Sequence, residues 1–308
     1  MLRNRTFSTF LIVLPIMVLV GFLKPLPIDQ LQRNRNIENR FWMAKTHYRP
    51  AYDVVMMGDS RMYRGLSPWV MSCVLPGWRI LNFGYSYGGL NSVMFRAAEA
   101  KLDPASKKKT IILGVTPLSL TPSALKNEHY NETKYNDYIF TSIFPPQLED
   151  FFAPILVSYL FREKKLPDRL YRQVFHGDGW VASWTVPEDT QEALVSYREV
   201  FKNNRVSLDI VRGVMEQTSD WVSRDIMVYA FCPPTSPAMK TIEDAMSGFD
   251  EASFIRQFEK AGGKWLAVPD KPYHSYDGSH LDKDSAVKLS AYLADSIRRN
   301  VMDYRRMK

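Results

Sequence analysis

Residues 52–61 read Tyr52-Asp53-Val54-Val55-Met56-Met57-Gly58-Asp59-Ser60-Arg61. The first six are rich in apolar side chains and lack clean polar alternation, as a strand covered on both faces does. The glycine, aspartate and serine that follow mark a tight turn. Four more runs of this kind come at residues 79–83 (RILNF), 110–113 (TIIL), 226–231 (IMVYAF) and 264–268 (KWLAV). Helical patterns accompany them over residues 90–102, 207–222 and 252–261. A last helix is expected over 282–300, with Asp282 as its N-cap and Arg298 and Arg299 at the negative end of its dipole. Strands alternating with helices build α/β folds around a mainly parallel sheet, so five strands predict a doubly wound sandwich.

The rhythm breaks over residues 119–205, where aromatics, prolines and helical patterns such as 188–202 dominate. This stretch reads as a mostly helical insertion. A cap over the carboxyl ends of the strands is its expected use, with an aromatic face for a partner as the other. The sheet domain is thus split into residues 51–118 and 206–308. Asn131-Glu132-Thr133 matches the N-glycosylation pattern.

Residues 7–23 (FSTFLIVLPIMVLVGFL) carry no charge and are preceded by Arg3 and Arg5. Such a run is just long enough to cross a bilayer as a helix. The chain continues Lys24-Pro25-Leu26-Pro27, with no small-residue cleavage site, so an uncleaved anchor over residues 1–25 is favoured over a secretory signal. The flanking arginines put the N-terminus in the cytoplasm and the remainder outside. Residues 26–50 read as a linker with a short polar helix.

The 308 residues carry 40 Lys+Arg against 33 Asp+Glu, a net charge of +7, with 45% hydrophobic residues, which excludes a disordered or collagen-like chain. Cys73 and Cys232 are too few for a disulfide framework. The basic runs lie far apart, at 107–109 and 298–308, and no nucleic-acid module accompanies them. His47, His129 and His176 lack metal-ligand spacing, so neither a metal nor a cofactor is expected.

Ligands of open α/β sheets bind beyond the carboxyl ends of the strands, where strand order reverses. The loops there carry Gly58-Asp59-Ser60-Arg61, Asn82-Phe83-Gly84-Tyr85-Ser86-Tyr87-Gly88-Gly89, Gly114-Val115-Thr116-Pro117 and Asp277-Gly278-Ser279-His280. In a 2-1-3-4-5 strand order, Ser60 stands at the switch point. A serine hydroxyl becomes a competent nucleophile when a histidine takes its proton and a carboxylate orients the imidazole. Arg61 and Arg64 add a cation near the site, which favours an anionic substrate or intermediate. His274 competes with His280 as the base.

These blocks resemble the SGNH (GDSL-like) hydrolase family, in its membrane-anchored envelope type, over residues 51–117 and 226–300. The resemblance implies a flavodoxin-like α/β/α sandwich, Ser60 as nucleophile, and Asp277 with His280 as its partners. It also implies an oxyanion hole from the Ser60 N–H and the Gly88-Gly89 backbone. One block departs. Where the family has Gly-x-Asn, this chain has Gly114-Val115-Thr116, leaving the Thr116 hydroxyl as a partial substitute and Asn91 as another side chain within reach. Asp59, Arg61 and Asn91 are the candidate substrate-binding residues.

Gly84-Tyr85-Ser86-Tyr87-Gly88 also matches the G-x-S-x-G elbow of α/β-hydrolases, which makes a lipase using Ser86 an alternative. Only one strand precedes that elbow, and an acid three residues before the histidine is unusual there. The expected function is therefore a membrane-anchored, extracytoplasmic serine enzyme of acyl esters. It would be an O-acyl esterase or O-acyltransferase acting on envelope polysaccharide, with a membrane acyl donor as a candidate partner. A non-catalytic glycan-binding or assembly protein is the competing expectation.

Overall fold

The computed structural model describes residues 35–135, 170–269 and 273–307. The expected anchor and residues 136–169 of the expected insertion lie outside them. Among the described residues, no helix is long and apolar enough to cross a membrane. The chain divides into two compact units, and residues 41–135 with 169–308 form the one that carries the sheet.

All five expected strands form, as β1 (Val54–Met57), β2 (Ile80–Asn82), β3 (Thr110–Gly114), β6 (Met227–Phe231) and β7 (Lys264–Trp265). They pair in parallel in the order β2-β1-β3-β6-β7, which is the 2-1-3-4-5 arrangement with its switch point at β1. The pleat divides their side chains between two layers. Val55, Met57, Ile111, Leu113, Val228 and Ala230 face one apolar core. Val54, Met56, Ile112, Tyr229 and Phe231 face the other. Each large side chain so buried contributes about 1.5–3 kcal/mol.

Helices α4 (Ser92–Glu99), α7 (Leu208–Ser223) and α9 (Glu251–Lys260) cover the first layer through Met94, Phe95, Val214, Trp221, Phe254 and Phe258. The second layer is covered by α2 (Ser60–Gly65), α3 (Pro68–Val74) and the long α10 (Lys283–Met307), through Met62, Met71, Leu289 and Leu293. Asp282 does cap α10, its Oδ1 accepting from Ser285 N at 2.7 Å.

Two expectations are sharpened. The described part of the insertion is not all helix: β4 (Leu170–Phe175) and β5 (Val181–Val186) make an antiparallel hairpin, flanked by α5 (Glu128–Tyr135) and α6 (Gln191–Lys202). Residues 35–47 are likewise more than linker. Helix α1 (Arg35–His47) buries Phe41, Trp42 and Met43, because these apolar side chains gain more from the core than from water. Lys45 is wholly buried with them. Its ammonium donates to Gly179 O at 3.0 Å in the hairpin turn, and the rings of Trp42, Tyr85, Tyr63 and Phe41 surround it at 4.8–5.6 Å. The sequon is also unpromising for a glycan, since it lies on α5 with the Thr133 hydroxyl buried and bonded to Thr46.

Candidate active site

The turn after β1 is built for close approach. Gly58 has φ +155°, and a Cβ there would lie 2.9 Å from Gly114 O and 3.1 Å from Met62 Cβ. Helix α2 can therefore begin at once, with Asp59 as N-cap and Ser60 as its first residue. Asn82, at the end of β2, fastens the helix from below. Its Nδ2 donates to Met62 O at 2.9 Å and to Leu66 O at 2.8 Å. From the hairpin, Trp180 Nε1 donates to Arg64 O at 3.0 Å. These donors engage carbonyls within and just after the short helix.

The structure brings Ser60, His280 and Asp277 together. His280 Nε2 lies 2.8 Å from Ser60 Oγ, and His280 Nδ1 lies 2.7 Å from Asp277 Oδ2. The other carboxylate oxygen accepts from the backbone N–H groups of Ser279 at 2.9 Å and His280 at 2.7 Å. An Nδ1–H donating to the carboxylate leaves Nε2 free to accept the serine proton, which is the tautomer a general base needs. Burial pushes the His280 imidazole below its ordinary value, and the Arg64 cation adds to that against the pull of Asp277. Burial pushes the Asp277 carboxyl the other way, but the imidazole and the two backbone donors override it and hold it at about 2.

The three residues line a cleft of about 480 Å³, within the usual range of small-molecule sites. Tyr87, Tyr171, Tyr197 and Tyr276 contribute rings to it, and Ser86, Thr185 and Ser196 contribute hydroxyls. The hairpin supplies Tyr171 and Thr185 and α6 supplies Ser196 and Tyr197, four residues to which the sequence alone assigned no role. Asp178-Gly179, between runs with alternating polarity, was the usable signal for the hairpin.

Other expected roles do not hold in this geometry. The single hydroxyl proton of Thr116 goes to Asp59 Oδ2, and its oxygen accepts from Ser119 N, so Thr116 has nothing to donate to an oxyanion. Gly88 N donates to Tyr85 O at 3.0 Å, and Gly89 N to Asn127 Oδ1 at 3.2 Å. Their glycine identity follows from crowding, since Cβ atoms would lie 2.5 Å from Gly58 O and 2.4 Å from Ala124 O. The Ser60 N–H is different: it meets no acceptor among the described residues.

The expected substrate-binding trio is absorbed by the scaffold. Asn91 caps α4 and exchanges amide hydrogen bonds with Asn127. Asp59 accepts from Arg61 N at 2.9 Å and from Thr116, and is buried. Arg61 is buried in an ion pair with Glu243 of α8 (Pro237–Met246), at 2.7 Å, while its Nε donates to Ser279 Oγ at 3.1 Å. Ser279 in turn donates to Tyr197 OH at 3.0 Å. Arg61 therefore ties the helix that begins at Ser60 to the His280 loop from behind. The cation that lines the cleft is Arg64.

Ser86 shares the cleft but makes no hydrogen bond with His280; that imidazole is engaged with Ser60 and Asp277. The elbow-like sequence instead forms a turn, with Tyr87 held at φ +52° on the rim. Left-handed backbone at a non-glycine residue is costly and concentrates at functional sites. His274 bridges Glu188 and Asp282 at 3.1 Å each, away from the serine.

No protein-family model matches this chain, and no curated protein does. Among solved structures, the carbohydrate acetylesterase Est24 from Sinorhizobium meliloti aligns with 80% of this chain and 98% of its own, at 11% identity and a TM-score of 0.37. A Streptococcus pneumonia protein described as a platelet activating factor aligns with 86% of this chain and 92% of its own, at 11% identity and a TM-score of 0.36. Superpositions this loose leave the side chains described above as the ground for a functional reading.

Proposed function

We propose that the protein is a serine enzyme of acyl esters, similar in its chemistry to the SGNH hydrolases. The observation that carries this reading is the unbroken hydrogen-bonded run from Ser60 through His280 to Asp277 on the wall of an open cleft. Ser60 Oγ attacks the ester carbonyl as His280 Nε2 takes its proton, and Asp277 steadies the imidazolium. The tetrahedral oxyanion meets the Ser60 N–H. Collapse expels the alcohol, which takes the proton from His280 and leaves an acyl-serine. Water or a sugar hydroxyl then gives its proton to His280, attacks the acyl group and releases Ser60. Water makes the enzyme an O-acyl esterase; a hydroxyl makes it an O-acyltransferase.

The tyrosine and hydroxyl lining of the cleft suits a sugar, and the apolar run at residues 7–23 suits attachment to a membrane with the sheet domain outside. A polysaccharide of the cell envelope is the substrate that joins both features. The committed N–H groups of Gly88 and Gly89 favour one rival, a glycan-binding protein of the same fold without turnover. A fluorophosphonate probe separates the two. The expected result is labelling of the full chain at Ser60, lost in Ser60→Ala together with roughly 10³-fold or more of acetyl-ester turnover. Labelling at Ser86 instead, or at no serine, counts against the proposal.

A further inference from the structure

Arg64 follows Ser60 by four residues on α2, and residues so spaced share one helix face. Both line the cleft. The guanidinium is nonetheless poorly matched by the protein around it. Its Nη1 donates to Tyr276 OH at 3.0 Å and lies 3.2 Å from His280 Nδ1, an atom whose proton already goes to Asp277. The rings of Tyr63 and Tyr171 flank it at 5.3 and 5.7 Å. Nε is buried without a hydrogen bond, and Nη2 makes none among the described residues.

Several other arginines of the sheet unit are paired with carboxylates, Arg61 among them, while exposed ones such as Arg96, Arg205 and Arg256 form no ion pair among the described residues and stay in water. Arg61 has Glu243, Arg79 has Asp53 and Asp103, and Arg224 has Glu99 and Asp220. Arg64 forms no ion pair with a carboxylate among the described residues, and Asp277 is taken up by His280 and the backbone. Nε and Nη2 form the side edge of a guanidinium, the two parallel donors that fit a carboxylate or phosphate in a planar fork.

We propose that Arg64 determines substrate specificity by binding an anionic group, carboxylate or phosphate, carried by the sugar whose ester is cleaved. Four residues of helix rise by about 6 Å, so the anion belongs to the acylated ring or the one next to it. Selection works in both directions. An anionic sugar supplies the missing acceptor, whereas a neutral sugar closing over the cleft strips water from an unpaired cation and gives nothing back. The position of the ester rests on the serine-enzyme reading; the preference for an anion does not.

Two measurements on the full chain in detergent keep these apart. The first compares kcat/KM for an O-acetylated methyl galacturonoside, the galactoside of the same acetylation, and the galactoside 6-phosphate. Wild type is expected to favour the anionic esters by about ten- to a hundredfold, the value of a charge-assisted fork. Arg64→Met is expected to bring that ratio close to one, and Arg64→Lys, which keeps charge without the fork, to leave it in between. Preference for the uronate over the phosphate, or the reverse, identifies which anion is read. The second measurement is calorimetric affinity for unacetylated galacturonate and galactose oligosaccharides, which reports on the anion even where no ester turns over. Ester cleavage with equal rates for anionic and neutral sugars overturns the Arg64 proposal alone. Selective binding of galacturonate without any cleavage overturns the enzyme reading alone. Equal affinity of the wild-type chain for both oligosaccharides, or a preference unchanged in Arg64→Met, also overturns the Arg64 proposal.

Discussion

At Thr116 a hydroxyl replaces the amide that the resembling family places in its third block, and the two groups differ by more than size. An asparagine amide has two protons to give, whereas threonine has one, and here Asp59 takes it. The residue that looked like a weakened oxyanion donor instead stiffens the turn before Ser60. Protonation at the neighbouring imidazole sets the pH response. As the proposed base, His280 must be neutral, and burial with the Arg64 cation lowers its pKa below 6.5. The acid limb of kcat/KM is therefore expected below pH 6.5, measured with an acetyl ester across pH 4–9 in constant-ionic-strength buffer. A limb centred above 6.5 would refute it. Stability follows the same sign, because the unfolded chain takes this proton first: the contribution is complete above pH 6.5 and is lost as pH falls toward the folded value.

Among the elements, α2 decides most of the site in six residues, and its helical period explains what the sequence did and did not disclose. Ser60 and Arg64 are one turn apart and share a face, while Arg61 is turned about a third of the way round and points into the scaffold. Reading Gly58-Asp59-Ser60-Arg61 as a loop hid that distinction. Reading it as a capped helix start would have exchanged the roles of the two arginines. The buried pair of Arg61 and Glu243, with side chains 2% and 4% exposed, sets a sharp expectation. Removing one partner leaves the other charge buried, so Arg61→Met is expected to lower unfolding free energy by about 3–5 kcal/mol. The double variant Arg61→Met with Glu243→Met is expected to recover a large part of that loss in urea unfolding. Simple additivity of the two single losses would argue against the coupling.

For the molecule as a whole, the sheet was legible because its strands are buried on both faces and announce themselves as short apolar runs. The runs at residues 52–57 and 110–113 became β1 and β3 almost unchanged. The hairpin was not legible in the same way. Its β4 strand is half exposed and therefore mixed in polarity, and it lay inside a stretch whose other patterns were helical. Likewise, α1 has a polar average that conceals a buried C-terminal half bearing Phe41, Trp42 and Met43. Attachment to a bilayer belongs at this scale too. The full chain is expected to stay with membranes through alkaline carbonate washing. Arginines at Val13 and Val18, each costing about 2.5–3.5 kcal/mol at mid-bilayer, are expected to release it. Equal retention of both chains would remove the case for residues 7–23 as the anchor.

The hydrogen bond between Ser60 and His280 joins residues 220 apart in the chain. Synthesis runs from the N-terminus at roughly 5–20 residues per second, so the serine emerges about ten to forty seconds before the imidazole proposed to activate it. Throughout that interval the hydroxyl is an ordinary one, and the growing chain carries no reactive nucleophile. The proposed turnover can begin only when the His280 loop has packed beside α2. On the proposed reading, any measured activity is thus a certificate that the chain has been made and folded through His280.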